Sequence, residues 1–169
     1  MTTRGQGRMT IARLLCTLLL LAGCSQHAGT ASLQERERYG SLQPRVSTKK
    51  DVYQRFGQPV EVLAVDGGST WLYAQAASPA GGLFTSGKTV GVILATFHFD
   101  AGDRYQRVDT DHERRPQPRE SGTGGTPLGD AAAAHVREEM ERLELPFDEA
   151  VWDASAKAHR LWRQPLAAP

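Results

Sequence analysis

Hydrophobic positions change their period several times along the chain, and each change marks an element. After 13 mostly polar residues, Leu14 to Gly23 is apolar except for Thr17, and Cys24 stands where the run stops. Roughly 20 apolar residues are needed to cross a bilayer, so the run has the length of a signal-peptide core instead. Residues 24–32 are short, small and polar, which predicts a tether. A short helix is expected over Leu33 to Tyr39, although Glu35, Arg36, Glu37 and Arg38 leave it little apolar face. The next helix is better marked. Thr48 can cap it, Asp51 stands three residues on in the capping-box position, and Gly57 followed by Pro59 ends it. Val52 and Phe56, four apart, share a face.

Beyond Pro59 the period becomes two. Val60, Val62 and Ala64 alternate with Glu61, Leu63 and Val65, Asp66-Gly67-Gly68 supplies a turn, and Thr70 to Ala74 resumes with Trp71 and Tyr73 on one side. Pro79 has no N–H for a ladder, so a loop is expected from Ser78 to Lys88. Thr89 to Phe99 reads as the longest strand, Asp100-Ala101-Gly102-Asp103 as a turn, and Arg104 to Val108 as a return strand. The order predicts an α+β fold: two short helices followed by an antiparallel meander of three to four strands, with a C-terminal helical tail. Residues 114–127 lose all periodicity and read as a disordered linker. In 128–169, Asp130 is placed to cap a first helical stretch up to Leu145. Pro146 opens a second, in which Val151, Ala154, Ala158 and Leu161 recur at helical spacing with Trp152 and Trp162 nearby. These helices either dock on the domain as a hairpin or form an amphipathic appendage for a partner.

Charge changes the picture at the amino terminus. The 20 Lys and Arg nearly balance the 19 Asp and Glu, but Arg4, Arg8 and Arg13 precede the apolar run with no acidic neighbour. Without them 17 basic residues face 19 acidic ones, a formal −2. No basic field is left to favour nucleic acid. The stretch Leu21-Ala22-Gly23-Cys24 resembles the bacterial lipobox, which implies cleavage between Gly23 and Cys24, with 1–23 as signal peptide, and acylation of Cys24. An ordinary secretory signal with a chance cysteine is the alternative. The resemblance also implies a periplasm-facing anchor, and Ser25 in place of Asp favours the outer membrane over the inner one. Cys16 leaves with such a leader and Cys24 is modified, so the mature chain has no disulfide to stabilise it.

The segment from Ser47 to Pro59, followed by Trp71-Leu72-Tyr73 and by Phe97-His98-Phe99-Asp100-Ala101-Gly102, resembles the SmpA/OmlA (BamE-like) domain of outer-membrane lipoproteins. The threonine-capped helix, the Gly-x-Pro exit, the Trp-x-Tyr strand and the Phe-Asp-x-Gly turn carry the likeness, with a domain expected over 33–113. It implies a protein partner in the cell envelope, among them components of outer-membrane β-barrel assembly. Pro44-Arg45-Val46 stands where that family usually has a glycine, and the tail has no counterpart in it. Trp71 and Tyr73 serve either as core aromatics or as a partner contact.

Candidate chemistry is sparse. A nucleophilic enzyme needs an activated Ser or Cys beside a base, and no Gly-x-Ser-x-Gly elbow is present. His135, Glu138 and Glu139 lie at i, i+3 and i+4, but Val136 and Arg137 replace the zincin order, so a solvated helix face is the simpler expectation. Asp100, Asp103, Asp109 and Asp111 with His112 lack the order of a calcium loop. His27, His98 and His159 have no partner visible in the sequence. His98 alternates with Phe97 and Phe99, which places it either on the sheet's outer face or beneath a docked tail. No catalytic residue, metal site or cofactor is therefore expected. The sequence points to a lipid-anchored binding or scaffolding module, with an inhibitor or ligand-binding lipoprotein as the alternative and a metal-dependent enzyme third.

Overall fold

The computed structural model describes residues 27–29, 31–77, 89–116 and 129–163. An antiparallel sheet holds it together: β1 is His27–Gly29, β2 Glu61–Val65, β3 Gly68–Ala77, β4 Thr89–Asp100 and β5 Tyr105–Pro116. Strands β2 to β5 form a meander, and β1 pairs with the far half of β3, on the same side as β2. Four helices accompany the sheet, α1 (Arg36–Gly40), α2 (Lys49–Phe56), α3 (Asp130–Arg142) and α4 (Glu149–Arg163), with a 3-10 turn at Ala31–Gln34. The fold class is α+β.

Local chemistry fixes α2 and its exit. Thr48 accepts from the Asp51 N–H and the Asp51 carboxylate accepts from the Thr48 N–H at 2.7 Å, a complete capping box. Hydrogen bonds from the Thr48 backbone and hydroxyl hold the Asp51 carboxyl below its usual range. Gly57 adopts φ 76°, which a Cβ would disfavour, and its carbonyl accepts from the buried Tyr73 hydroxyl at 2.9 Å. Helix exit and strand aromatic are thus tied together.

One face of the sheet is aromatic. Trp71, Tyr73 and Phe97 are fully buried, and Phe56 and Tyr39 pack on Phe97 with ring centroids 4.9 and 6.0 Å apart. The opposite face carries Leu72, Ala74, Ala76, Val90 and Val92, all buried. Helix α4 covers these: it packs on β1 and β3, and its Trp162 lies 5.7 Å from the guanidinium of Arg115, the cross-strand neighbour of Val90. Small residues on both sides, Ser155, Ala156 and Ala158 against Ala74 and Ala76, allow helix and sheet to approach closely.

Six features differ from the sequence expectations. Within the stretch expected as a tether, His27–Gly29 is strand β1 and the 3-10 turn starts at Ala31; backbone pairing with Gln75–Ala77 needs no apolar pattern. The short helix begins at Arg36, after that turn, and ends at Gly40. The return strand runs on to Pro116, since β4 offers partners along its whole length. Gly129, not Asp130, occupies the N-cap of α3, and Asp130 contributes its charge to the first turn instead. Asp148 rather than Pro146 opens α4, its carboxylate accepting from the N–H groups of Ala150 at 2.9 Å and Val151 at 3.2 Å. The inward stripe of α4 is also rotated. Trp152, Ser155, Ala156, Ala158 and His159 are buried while Val151 is 42% exposed, because the Trp152 indole donates to Val60 O at 3.0 Å and fixes the rotation. The tail is part of the core.

Candidate functional site

Two polar clusters and one open surface can be distinguished. The first cluster is internal. Lys49, 3% exposed at the start of α2, places Nζ 2.6 Å from Glu139 Oε1 on α3 and 2.6 Å from Asp103 Oδ1 in the β4–β5 turn. Arg142 closes the square, donating to Asp103 Oδ2 and Glu139 Oε2, both at 2.8 Å, while the Trp71 indole N–H reaches Glu139 Oε1 at 3.2 Å. Burial pushes the Glu139 and Asp103 pKa values up, but hydrogen bonds from Arg142 and Lys49 outweigh it and hold both carboxyls below their usual range. The Lys49 ammonium also lies 5.6 Å from the Trp71 ring and 5.5 Å from Phe99. Every group here points at another, so the cluster joins α3 to the sheet and leaves no reactive group unpaired.

The second cluster lies across β3, β4 and β5, where α4 does not reach. His98 Nε2 stands 2.9 Å from Asp109 Oδ2, Arg107 Nε donates to the same oxygen at 3.3 Å, and Thr70 Oγ1 lies 3.5 Å from His98 Nδ1. Thr, His and Asp in a row suggest a nucleophile relay, but Thr70 is buried and its hydroxyl is at the limit of hydrogen-bond distance from His98. The row reads as cross-strand pairing. On this same face, at the open end of the sheet, Leu63 and Val65 of β2 are 45% and 48% exposed.

The outer edge of β5 bounds that surface. Its first residues are covered, with Arg45 N–H bonded to Tyr105 O and Tyr105 N–H to Ser47 O. From Arg107 onward no described strand pairs with it, and Asp111 Oδ1 accepts the His112 N–H at 3.0 Å. Charged side chains blunt such an edge against indiscriminate pairing. A shallow cavity of about 310 Å³ opens near its end, floored by Ala77, Gly91, Val92 and Ile93 and rimmed by His112 and Arg114.

The sequence candidates fall as follows. Trp71 and Tyr73 are core, not surface. Gly23, Cys24 and the Ser78–Lys88 loop lie outside the described residues. His135 and Glu138 are exposed while Glu139 turns inward, so the three share no site. Asp100 holds its own turn, accepting from the N–H groups of Gly102 at 2.9 Å and Arg104 at 3.0 Å. Among the described residues no cluster of three His, Cys, Asp or Glu could hold a metal. His98 lies on the outer face beyond α4, and His159, on the inward side of α4, is buried with Nδ1 unbonded. Sequence reasoning missed the Lys49 square. One signal was present: a lysine at the first position of a helix sits against the positive end of the dipole and needs a carboxylate to offset it.

Comparison with known protein families, curated proteins and solved structures finds no match to this chain. No described helix is long and apolar enough to cross a membrane.

Proposed function

We propose that the protein is a periplasm-facing, outer-membrane lipoprotein, anchored through Cys24, whose α+β domain is a binding or scaffolding module with a protein partner in the cell envelope. The observation that carries this reading is the junction of leader and domain: the apolar run ends at Cys24, and the first described strand of the sheet starts three residues on, at His27. The polar side chains add to it, since the Lys49 square and the His98 row are consumed by structural contacts. The contact surface is the open half of the sheet, Leu63 and Val65, with the β5 edge beside it, where an extended segment can add to the ladder. The resemblance to SmpA/OmlA domains makes outer-membrane protein assembly or envelope integrity the setting. In this reading the protein is not an enzyme and takes no cofactor.

Crosslinking in intact cells followed by purification of tagged protein from membranes tests it. A discrete partner that is lost on Leu63→Asp and Val65→Asp supports the module, and protein that repeatedly emerges alone removes its basis. The cavity near Arg114 favours one second reading, an inhibitor or ligand-binding lipoprotein, although about 310 Å³ sits at the low end of the roughly 300–1,000 Å³ typical of ligand sites.

A further inference from the structure

One row of residues crosses the sheet from strand to strand: His27 faces Ala77, Ala77 faces Gly91, and Gly91 faces Arg114. Cys24 precedes His27 by three residues, a reach of at most roughly 11 Å even when fully extended. A lipid on Cys24 therefore cannot lie far from this row. The distance selects one end of the sheet. From Ala77 back to Gly68, nine residues along β3, the strand runs about 30 Å, so the β2–β3 and β4–β5 turns are at the other extreme.

We propose that the end of the sheet at Ala77, Thr89 and Arg114, together with the last turn of α4, seats on the phospholipid headgroups of the bilayer that holds Cys24. The inference rests on the reading of Cys24 as the lipid-bearing residue. Charge and side-chain type at this end agree with it. Arg114 and Arg163 are exposed and, among the described residues, form no ion pair, so their guanidinium forks are open to phosphate oxygens. Trp162, stacked over Arg115, offers an amphipathic ring of the kind that settles at a headgroup boundary. Seated this way, the domain directs its Leu63–Val65 surface away from the membrane. The short anchor thus sets which surface a partner meets.

The test uses full-length protein, exported and purified with its lipid and reconstituted in vesicles of phosphatidylethanolamine and phosphatidylglycerol that include a headgroup nitroxide. Thr89→Cys and Ala101→Cys place a fluorophore at exposed positions on the near and far ends; the acylated Cys24 does not compete for the label. The probe at 89 is expected to lose most of its emission and the probe at 101 to keep it. Arg114→Glu with Arg163→Glu, in the Thr89→Cys protein, is expected to restore much of the lost emission. Equal quenching at 89 and 101, or no response to the charge reversals, in protein whose intact mass carries the acyl groups overturns the seating and leaves the anchor standing. A mass without acyl groups overturns the anchor, and the seating with it.

Discussion

Lys49 Nζ lies 2.6 Å from Glu139 Oε1, a contact between residues 90 apart in sequence that are both almost wholly buried. It fastens α3 to the amino end of α2 and to Trp71 at the centre of the aromatic face. Breaking one side of the pair leaves Lys49 with Asp103, or Glu139 with Arg142 and Trp71, so the loss is partly compensated and costs up to about 3–5 kcal/mol, the figure for a buried charge with no partner left. Glu139→Leu is expected to destabilise by that order in chemical denaturation, Lys49→Met similarly, and the double variant by clearly less than the sum.

The tail contributes Ala133, Val136, Met140, Trp152, Ala156 and Ala158 to the same core as the sheet. Ending the chain at residue 128 is therefore expected to expose Leu72, Ala74 and Ala76 and to abolish cooperative thermal unfolding. A truncated domain that melts sharply at the temperature of the full protein would contradict the packing of α4.

Gly68 has a sharper constraint than its neighbour Gly67. A Cβ at Gly68 would stand 1.9 Å from Phe99 O, a backbone atom of the adjoining strand, whereas Gly67 has open space and needs glycine only for its φ of 80°. Gly68→Ala is expected to destabilise more than Gly67→Ala, the latter costing about 1 kcal/mol; paired denaturation curves give the order.

His159 is buried against the sheet, and burial first, then the charge of Arg163, lower its pKa from 6.5 to about 4. An unfolded chain takes up a proton near pH 6.5 and the folded one only near 4. Stability from this residue is therefore complete above 6.5 and is lost as pH falls towards 4. The melting temperature is expected to decline through that window, and less steeply in His159→Leu. Glu139 and Asp103, held below the usual carboxylate range, add their loss only at still lower pH.

Local chemistry was the readable part of this fold. Thr48 with Asp51, Gly57 before Pro59, and the Asp66-Gly67-Gly68 turn each announce themselves in adjacent residues and sit where expected. What escaped reading depends on distant partners. His27-Ala28-Gly29 has no strand pattern and becomes β1 only because β3 offers it unpaired backbone. The charged run from Asp109 to Arg115 is a strand because β4 is long enough to hold it. The turn of α4 that faces inward was misjudged because Val151 competes with Trp152 for the core, and the indole prevails through its bond to Val60. Of the candidate surface, the hairpin residues Leu63 and Val65 were legible as alternating positions, but not that α4 would leave them uncovered.

Metabolic labelling with an alkyne fatty acid measures lipid at Cys24 directly. The wild-type chain is expected to take up label in the membrane fraction, and Cys24→Ser to lose it and accumulate as uncleaved or soluble protein. Unchanged labelling and membrane fractionation in the Cys24→Ser protein would contradict the anchor.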